Sequence, residues 1–192
     1  MILYVVRHGE SVFNLQNRYA GSTDCPLTPK GIEQAEELSQ KLSELSEINF
    51  DIIIASPLLR ARKTAEIINE NLNLPLILSD EFKERDLGVY EGLIRDEAKE
   101  KYPDLWAKDC LRQLDDAPTD GETIRQLDKR VIQALLKLEQ EYPEKSVLLV
   151  THGGVAMTIN RYYNNLSFDE MYSGFRLGNC EIVKYIQGEK SC

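Results

Sequence analysis

The stretch "ILYVVRHGES", Ile2 to Ser11, opens as an unbroken apolar run and stops abruptly at Arg7-His8-Gly9-Glu10. A short run that is apolar at every position, rather than at alternate ones, is the pattern of a strand buried on both faces of a parallel sheet. The chain has two histidines in 192 residues, and the second stands in a matching phrase, "LLVTHGG", Leu148 to Gly154. Each follows an apolar strand-like run and precedes a glycine.

Outward from the first run, strands and helices alternate. In "LTPKGIEQAEELSQKLSEL", Thr28 is an N-cap and Pro29 the first helical residue, and Ile32, Ala35, Leu38, Leu42 and Leu45 form one apolar stripe. "DIIIAS" reads as a second buried strand. The helix that follows it, "PLLRARKTAEIINENL", carries Leu58, Ala61, Ala65, Ile68 and Leu72 on one side. "LPLIL" is a short third strand, and residues 94–122, with Tyr102 and Trp106, are the least regular part and read as an insert. Then come a long helix from Thr123, the strand "SVLLVT", the helix "VAMTINRYYNN" and an edge strand, "EIVKYI". This order predicts an α/β fold: one domain over 1–192, a three-layer sandwich with a mostly parallel central sheet and helices on both faces. Ligands of such sheets bind beyond the carboxyl ends of the strands, where "RHGES", "SPLLRAR" and "THGG" all fall.

Composition narrows the function. Net charge is −9, which disfavours broad binding to nucleic acid or anionic membranes; anionic substrates would need a locally positive pocket. The apolar runs are too short to span a bilayer, and Ile2 to Val6 reads as a core strand rather than a signal segment. Cys25, Cys110, Cys180 and Cys192 contain no C-x-x-C pair, which suits a reduced, cytoplasmic protein.

Two arginines join the histidines at the sheet edge: Arg7 beside His8, and Arg60 one turn into the helix after the second strand. Guanidinium groups bind phosphate bidentately, and helix N-termini add N–H donors. A lone histidine after a strand is commonly structural; two in matching contexts, with no third in the chain, favour function. Rival phosphate chemistries lack their signatures. The dipeptide Gly-Lys of a P-loop never occurs. The residues six positions after Cys25, Cys110 and Cys180 are Gly31, Asp116 and Ile186, none of them the arginine that a cysteine phosphatase needs. No Asp-x-Asp pair closes the first strand, two histidines supply few ligands for a two-metal site, and "GES" lacks the second glycine of a nucleophile elbow. Histidine itself is left as nucleophile, kept neutral by neighbouring arginines. A departing alkoxide needs a proton donor. Glu84, in "FKERDLGVYEG", follows the third strand and stands four residues before Gly88, although composition alone does not choose it over Glu81 or Glu91.

Taken together and in order, "LYVVRHGESVFN", "LTPKGIEQA", "SPLLRARKTA", "FKERDLGVYEG" and "LLVTHGG" resemble the histidine phosphatase superfamily, in its phosphoglycerate mutase-like branch. The resemblance runs from about Ile2 to Val155. It implies His8 as the phosphorylated nucleophile, with Arg7, Arg60 and His152 completing the phosphate pocket. Glu84 would be general acid and then base, Asn14 would contact the phosphoryl group, and backbone around Gly21 and Gly153 would add donors. It implies neither metal nor cofactor, and a small-molecule phosphate ester as substrate.

The branch holds mutases and phosphatases. Mutases resembling it carry "ERHYG" where this chain has "ERDLG", and a pair of adjacent arginines in the insert where this chain has Arg95 and Arg112 apart. The reading is therefore a phosphomonoester hydrolase. A 2,3-bisphosphoglycerate-dependent mutase and a non-catalytic phospholigand-binding module are the alternatives. The insert is expected to lid the pocket, with Tyr102 and Trp106 in a satellite core beneath it.

Overall fold

The computed structural model describes residues 1–45, 48–172 and 174–186; Cys192 lies outside them. Five strands form one sheet: β1 (Ile2–Arg7), β2 (Ile52–Ala55), β3 (Leu76–Leu78), β4 (Ser146–Thr151) and β5 (Ile182–Ile186), in the order β3-β2-β4-β1-β5. The pairs β1–β4, β2–β4 and β2–β3 are parallel, and β5 joins β1 antiparallel at one edge. β4 lies between β1 and β2, with Val5 and Ile54 both opposite Leu149. Arg7 and Thr151 are also paired, so both histidine-bearing turns leave the sheet side by side.

The period of two along each strand sorts the central side chains into two cores. Leu3, Val5, Ile52, Ile54, Val147 and Leu149 pack under α6 (Ile124–Glu141) and α7 (Gly153–Asn164), against Leu127, Val131, Leu135, Val155 and Ile159. Tyr4, Val6, Ile53, Ala55, Leu148 and Val150 pack on the other face under α2 (Pro29–Glu44) and α3 (Leu59–Leu72), against Leu38, Leu42, Ala61, Ala65 and Ile68. This is why the strands read as continuously apolar: both faces are covered. The expected α/β architecture with helices on both faces is present.

Local signals also hold. Thr28 caps α2 by accepting from the Gly31 N–H, with Pro29 as first helical residue. Thr123 and Gln126 form a reciprocal capping box on α6. The predicted stripe on α2 is too broad, because Ile32 and Leu45 at its margins are 37% and 45% exposed. A helix buries about a third of its circumference, and α2 packs mainly on α3, so the outermost positions of the stripe face water.

The least regular segment contains two short helices, α4 (Arg95–Lys101) and α5 (Pro103–Ala107). Tyr102 and Trp106 belong there to a satellite core with Tyr90, Ala98 and Cys110, while Arg95 lies over the Trp106 ring at 5.1 Å. Two single-turn helices flank these elements, α1 (Val12–Leu15), after β1, and α8 (Phe168–Met171), after α7. Cys25, Cys110 and Cys180 are free thiols, and no described helix is long and apolar enough to cross a membrane.

Candidate active site

Three chain segments leaving the carboxyl ends of β1, β2 and β4 converge on a cleft of about 290 Å³. Arg7, His8, Asn14, Gly21, Arg60, Glu84 and Gly153 line it, so seven of the eight residues singled out in the sequence meet there. The eighth, His152, lies directly behind, its ring centroid 5.2 Å from that of His8.

His8 is held in one protonation pattern by its neighbours. Its Nδ1 is 2.7 Å from the carbonyl oxygen of Gly9. A carbonyl can only accept, so Nδ1 carries the proton and Nε2 keeps its lone pair. That lone pair accepts from Nε–H of Arg60 at 3.3 Å. Burial, followed by the positive charges of Arg60 and Arg7, pushes the His8 pKa well below the ordinary imidazole value. The imidazole is neutral at neutral pH. The glycine after His8 has a steric cause: a Cβ at Gly9 would overlap the backbone of Gly31, so the turn could not lie against the start of α2.

Arg60 is buried on the first turn of α3, and each nitrogen of its guanidinium has work. Nη2 donates to the Gly21 carbonyl at 2.7 Å, Nη1 to the Thr23 carbonyl at 2.9 Å, and Nε to His8. Asp24, from the same loop, accepts from the Leu59 N–H at 2.7 Å and so serves the helix start. Gly21 therefore meets the site through its carbonyl, where sequence reasoning expects a donor. It adopts φ +50°, which favours glycine.

Arg7 donates from Nη1 to the Leu177 carbonyl at 3.0 Å, while its Nε is buried with no partner. His152 takes the N-cap position of α7. Its Nε2 lies 2.7 Å from Ser56 Oγ, and its Nδ1 is buried with no partner. Burial and then Arg60 also hold His152 well below the ordinary imidazole pKa. Two buried polar atoms without partners, Nε of Arg7 in the cleft wall and Nδ1 of His152 behind it, suit a ligand rich in hydrogen-bonding oxygens.

Glu84 spans the opening of α7. Oε2 accepts from the Gly154 N–H at 3.0 Å and Oε1 from the Arg85 N–H at 2.8 Å. A carboxylate at a helix N-terminus is stabilised by the N–H groups and the dipole there. Asn14 Oδ1 accepts from the Ser11 N–H at 3.1 Å and from Asn179 Nδ2 at 3.4 Å, which leaves its own amide protons for the cleft.

Sequence reasoning missed several participants. Ser56, at the end of "DIIIAS", carries a weak signal: a polar residue terminating a buried strand. Asn179 holds the His8 carbonyl at 2.8 Å from the turn before β5, and nothing in its local sequence marks it. Arg85 looks like a phosphate ligand, but its guanidinium is spent on the carbonyls of Glu122, Leu111 and Asp116. The rest of the cleft wall is mainly Leu87, Leu111, Leu127, Met157, Met171 and Tyr172, together with Arg18, whose Nη1 donates to the Gly92 carbonyl at 2.6 Å and to Glu97 at 3.1 Å. The insert thus reaches the cleft through Leu111, while Tyr102 and Trp106 do not. Among the described residues, no group of three His, Cys, Asp or Glu side chains is placed to hold a metal ion.

Comparison with known proteins assigns the class. Residues 3–191 match the histidine phosphatase superfamily (branch 1), and the chain belongs to that family. It is 43% identical over 149 residues to the uncharacterized phosphatase PhoE of Bacillus subtilis (strain 168), covering 78% of this chain and 70% of that one. Over 176 residues it is 34% identical to a 2,3-bisphosphoglycerate-dependent phosphoglycerate mutase of Bartonella henselae, covering 89% and 85%. In structure it is similar to the α-ribazole phosphatase from Shigella flexneri, with a TM-score of 0.89, 26% identity, and coverage of 100% and 93%. The chain is an enzyme, a histidine-type phosphatase acting on small phosphorylated substrates.

Proposed function

We propose that this phosphatase hydrolyses phosphomonoesters through a covalent phosphohistidine at His8. The observation that carries this reading is the buried His8 itself: protonated at Nδ1 against Gly9, with the Nε2 lone pair turned to Arg60 at the cleft. Substrate phosphate would occupy the space between Arg7, Arg60 and His152, satisfying Arg7 Nε and His152 Nδ1 and drawing the Arg60 Nε–H from nitrogen to a phosphoryl oxygen. Asn14 and the N–H at Gly153, which opens α7, would add donors.

The first step forms a bond from His8 Nε2 to phosphorus and breaks the bond from phosphorus to the ester oxygen in line with it. Glu84, as general acid, delivers a proton to the departing oxygen, and the Gly9 carbonyl offsets the charge that the phosphorylated imidazole acquires. Water then attacks phosphorus, Glu84 takes up the water's proton, the N–P bond breaks, and inorganic phosphate leaves with neutral His8 restored. The binding energy is placed on equatorial oxygens shared by all monoesters.

Hydrolysis is favoured over mutase chemistry by the far wall. A mutase must hold a carboxylated, bisphosphorylated intermediate. Here Arg95 is stacked on Trp106, Arg112 lines a different pocket beside Phe168, Arg85 is occupied by backbone, and Arg18 at the cleft is tied to the Gly92 carbonyl and Glu97. The wall that faces the leaving group is largely apolar. It suits an alcohol or phenol without a carboxylate. Neither metal nor cofactor enters the scheme, and the free thiols of Cys25, Cys110 and Cys180 suit a reducing cytoplasm. We take the chain as one domain with 94–122 as its insert.

The test is phosphate release from p-nitrophenyl phosphate with EDTA present. Wild type turns over and His8→Ala loses at least about 10⁴-fold in kcat, the scale of removing a nucleophile. Activity surviving in His8→Ala, or binding of phosphate with no turnover by wild type, would reject the reading.

A further inference from the structure

Glu91 is half-buried, does not line the cleft, and collects more hydrogen bonds than any carboxylate at the site. Its Oε1 accepts from the Ser22 N–H at 2.6 Å, the Ser22 hydroxyl at 3.1 Å and the Leu87 N–H at 2.9 Å; its Oε2 accepts from the Thr23 hydroxyl. One carboxylate therefore ties the 21–23 loop to the 84–91 segment. Those are the two segments whose relative placement the site depends on. The first supplies both carbonyls that grip the Arg60 guanidinium, and the second carries Glu84 and the wall residue Leu87.

From Glu91 the contacts run without a gap to the nucleophile. The carboxylate fixes Ser22 and Thr23; the carbonyls of Gly21 and Thr23 fix Nη2 and Nη1 of Arg60; and Nε of Arg60 meets Nε2 of His8. Gly21 is bound into the same device. Its φ of +50° turns the loop over Glu91, and a Cβ there would overlap the carboxylate. Charge-assisted bonds to backbone N–H groups are short and directional, so a carboxylate in this place locks both loops more firmly than water could.

We propose that Glu91 is a positioning residue for the phosphate site: by clamping the 21–23 loop it holds the Arg60 guanidinium flat against His8. This rests on the reading of Arg60 as a phosphate ligand, but its central prediction does not require turnover. If the clamp opens, Arg60 withdraws from the nucleophile and the imidazole loses a neighbouring positive charge. Arg7, from β1, and the ring of His152, from the start of α7, also face His8, with Glu84 beyond Arg7; the hydrogen bonds of Glu91 go to Ser22, Thr23 and Leu87 and to none of these three.

The experiment is an NMR titration of the two imidazoles in the full chain, together with steady-state kinetics, for wild type, Glu91→Ala, Glu91→Gln and Gly21→Ala. Gln retains a carbonyl for the two N–H donors and an amide that can reach the Thr23 hydroxyl, so it serves as the rescue variant. Loss of the clamp in Glu91→Ala and in Gly21→Ala raises the His8 midpoint, and kcat falls about 10- to 100-fold, the scale reported for orienting partners of a reactive side chain. Glu91→Gln keeps the wild-type midpoint and stays within about threefold in kcat. A midpoint for His8 unchanged in folded Glu91→Ala overturns the proposal, whatever its effect on Tm. A raised midpoint in a protein whose wild type hydrolyses no ester upholds the clamp and removes the phosphatase reading instead.

Discussion

His152 Nε2 and Ser56 Oγ stand 2.7 Å apart across the ends of β4 and β2. Ser56 Oγ accepts from the Leu58 N–H at 3.3 Å, and we assign its single proton to the bond with His152. That assignment places the imidazole proton on the orphaned Nδ1 and makes His152 a donor awaiting an acceptor. Ser56→Ala removes the constraint on the tautomer and leaves Nε2 buried and unpaired. A loss of about 1–3 kcal/mol in transition-state binding, roughly 5- to 150-fold in kcat/KM, is expected. Unchanged kcat/KM in Ser56→Ala would mean that the tautomer is fixed by something other than this hydroxyl.

Glu84 is predicted to matter in proportion to how badly the leaving group needs a proton. Glu84→Gln keeps the shape of the contacts at the start of α7 and removes the transferable proton. With an alkyl phosphate, kcat for ester cleavage falls about 10²- to 10⁴-fold. With p-nitrophenyl phosphate the loss in the phosphorylation step is much smaller, since nitrophenolate departs unaided. Burst and single-turnover kinetics on the two esters separate that step from hydrolysis of the phosphoenzyme. Equal losses on both esters in the first step would remove Glu84 from the role of acid.

The two buried imidazoles make stability depend on pH in a definite direction. Both have folded-state pKa values pushed well below the ordinary one, so the unfolded chain takes up protons first as pH falls. Stability from this source is complete above the ordinary imidazole pKa and is lost as pH drops below about 6.5, with a limiting slope of about 2.7 kcal/mol per pH unit for two groups. Urea unfolding at pH 7.5, 6.5 and 5.5 measures it, and His152→Gln is expected to halve the slope. A flat profile over that range would show that neither histidine is held neutral in the fold.

Leaving-group preference follows from the far wall. A carboxylate placed against Leu111, Leu127, Met157 and Met171 would meet cations already engaged: Arg85 by three backbone carbonyls, and Arg18 by Gln16, the Gly92 carbonyl and Glu97. An aryl phosphate is therefore predicted to exceed 3-phosphoglycerate by at least about tenfold in kcat/KM, which is about 1.4 kcal/mol of unpaired charge. Supplied with 3-phosphoglycerate and 2,3-bisphosphoglycerate, the enzyme releases phosphate and forms no 2-phosphoglycerate. Interconversion without release would instead identify a mutase.

The parts of this molecule legible from the chain are those where one physical demand dominates. β1, β2 and β4 are buried on two faces, so their central residues are apolar without a break, and their carboxyl ends announce themselves where Arg7, Ser56 and Thr151 end the run. The N-termini of α2 and α6 are equally plain, since Thr28 and Thr123 meet orphaned N–H groups that any helix presents. What stays hidden depends on distance in space between segments remote in sequence. Glu91 and Glu84 are both single acids in a chain with 32 acidic residues, and only the fold shows that one sits at the start of α7 while the other binds Ser22 and Leu87. Asn179 reaches His8 from 171 positions away. Tyr102 and Trp106 are large apolar groups that a pocket and a satellite core would use equally well, and the short helices α4 and α5 decide for the core.

A covalent bond between His8 and phosphorus can be trapped. The enzyme is mixed with a ³²P-labelled monoester, quenched within milliseconds into alkaline detergent, and mapped by digestion. Label is expected on the peptide containing His8, stable to base, labile to acid, chased by water at a rate no slower than kcat, and absent from His8→Ala. Label that survives in His8→Ala, or steady hydrolysis by wild type with no label at His8, contradicts the covalent bond.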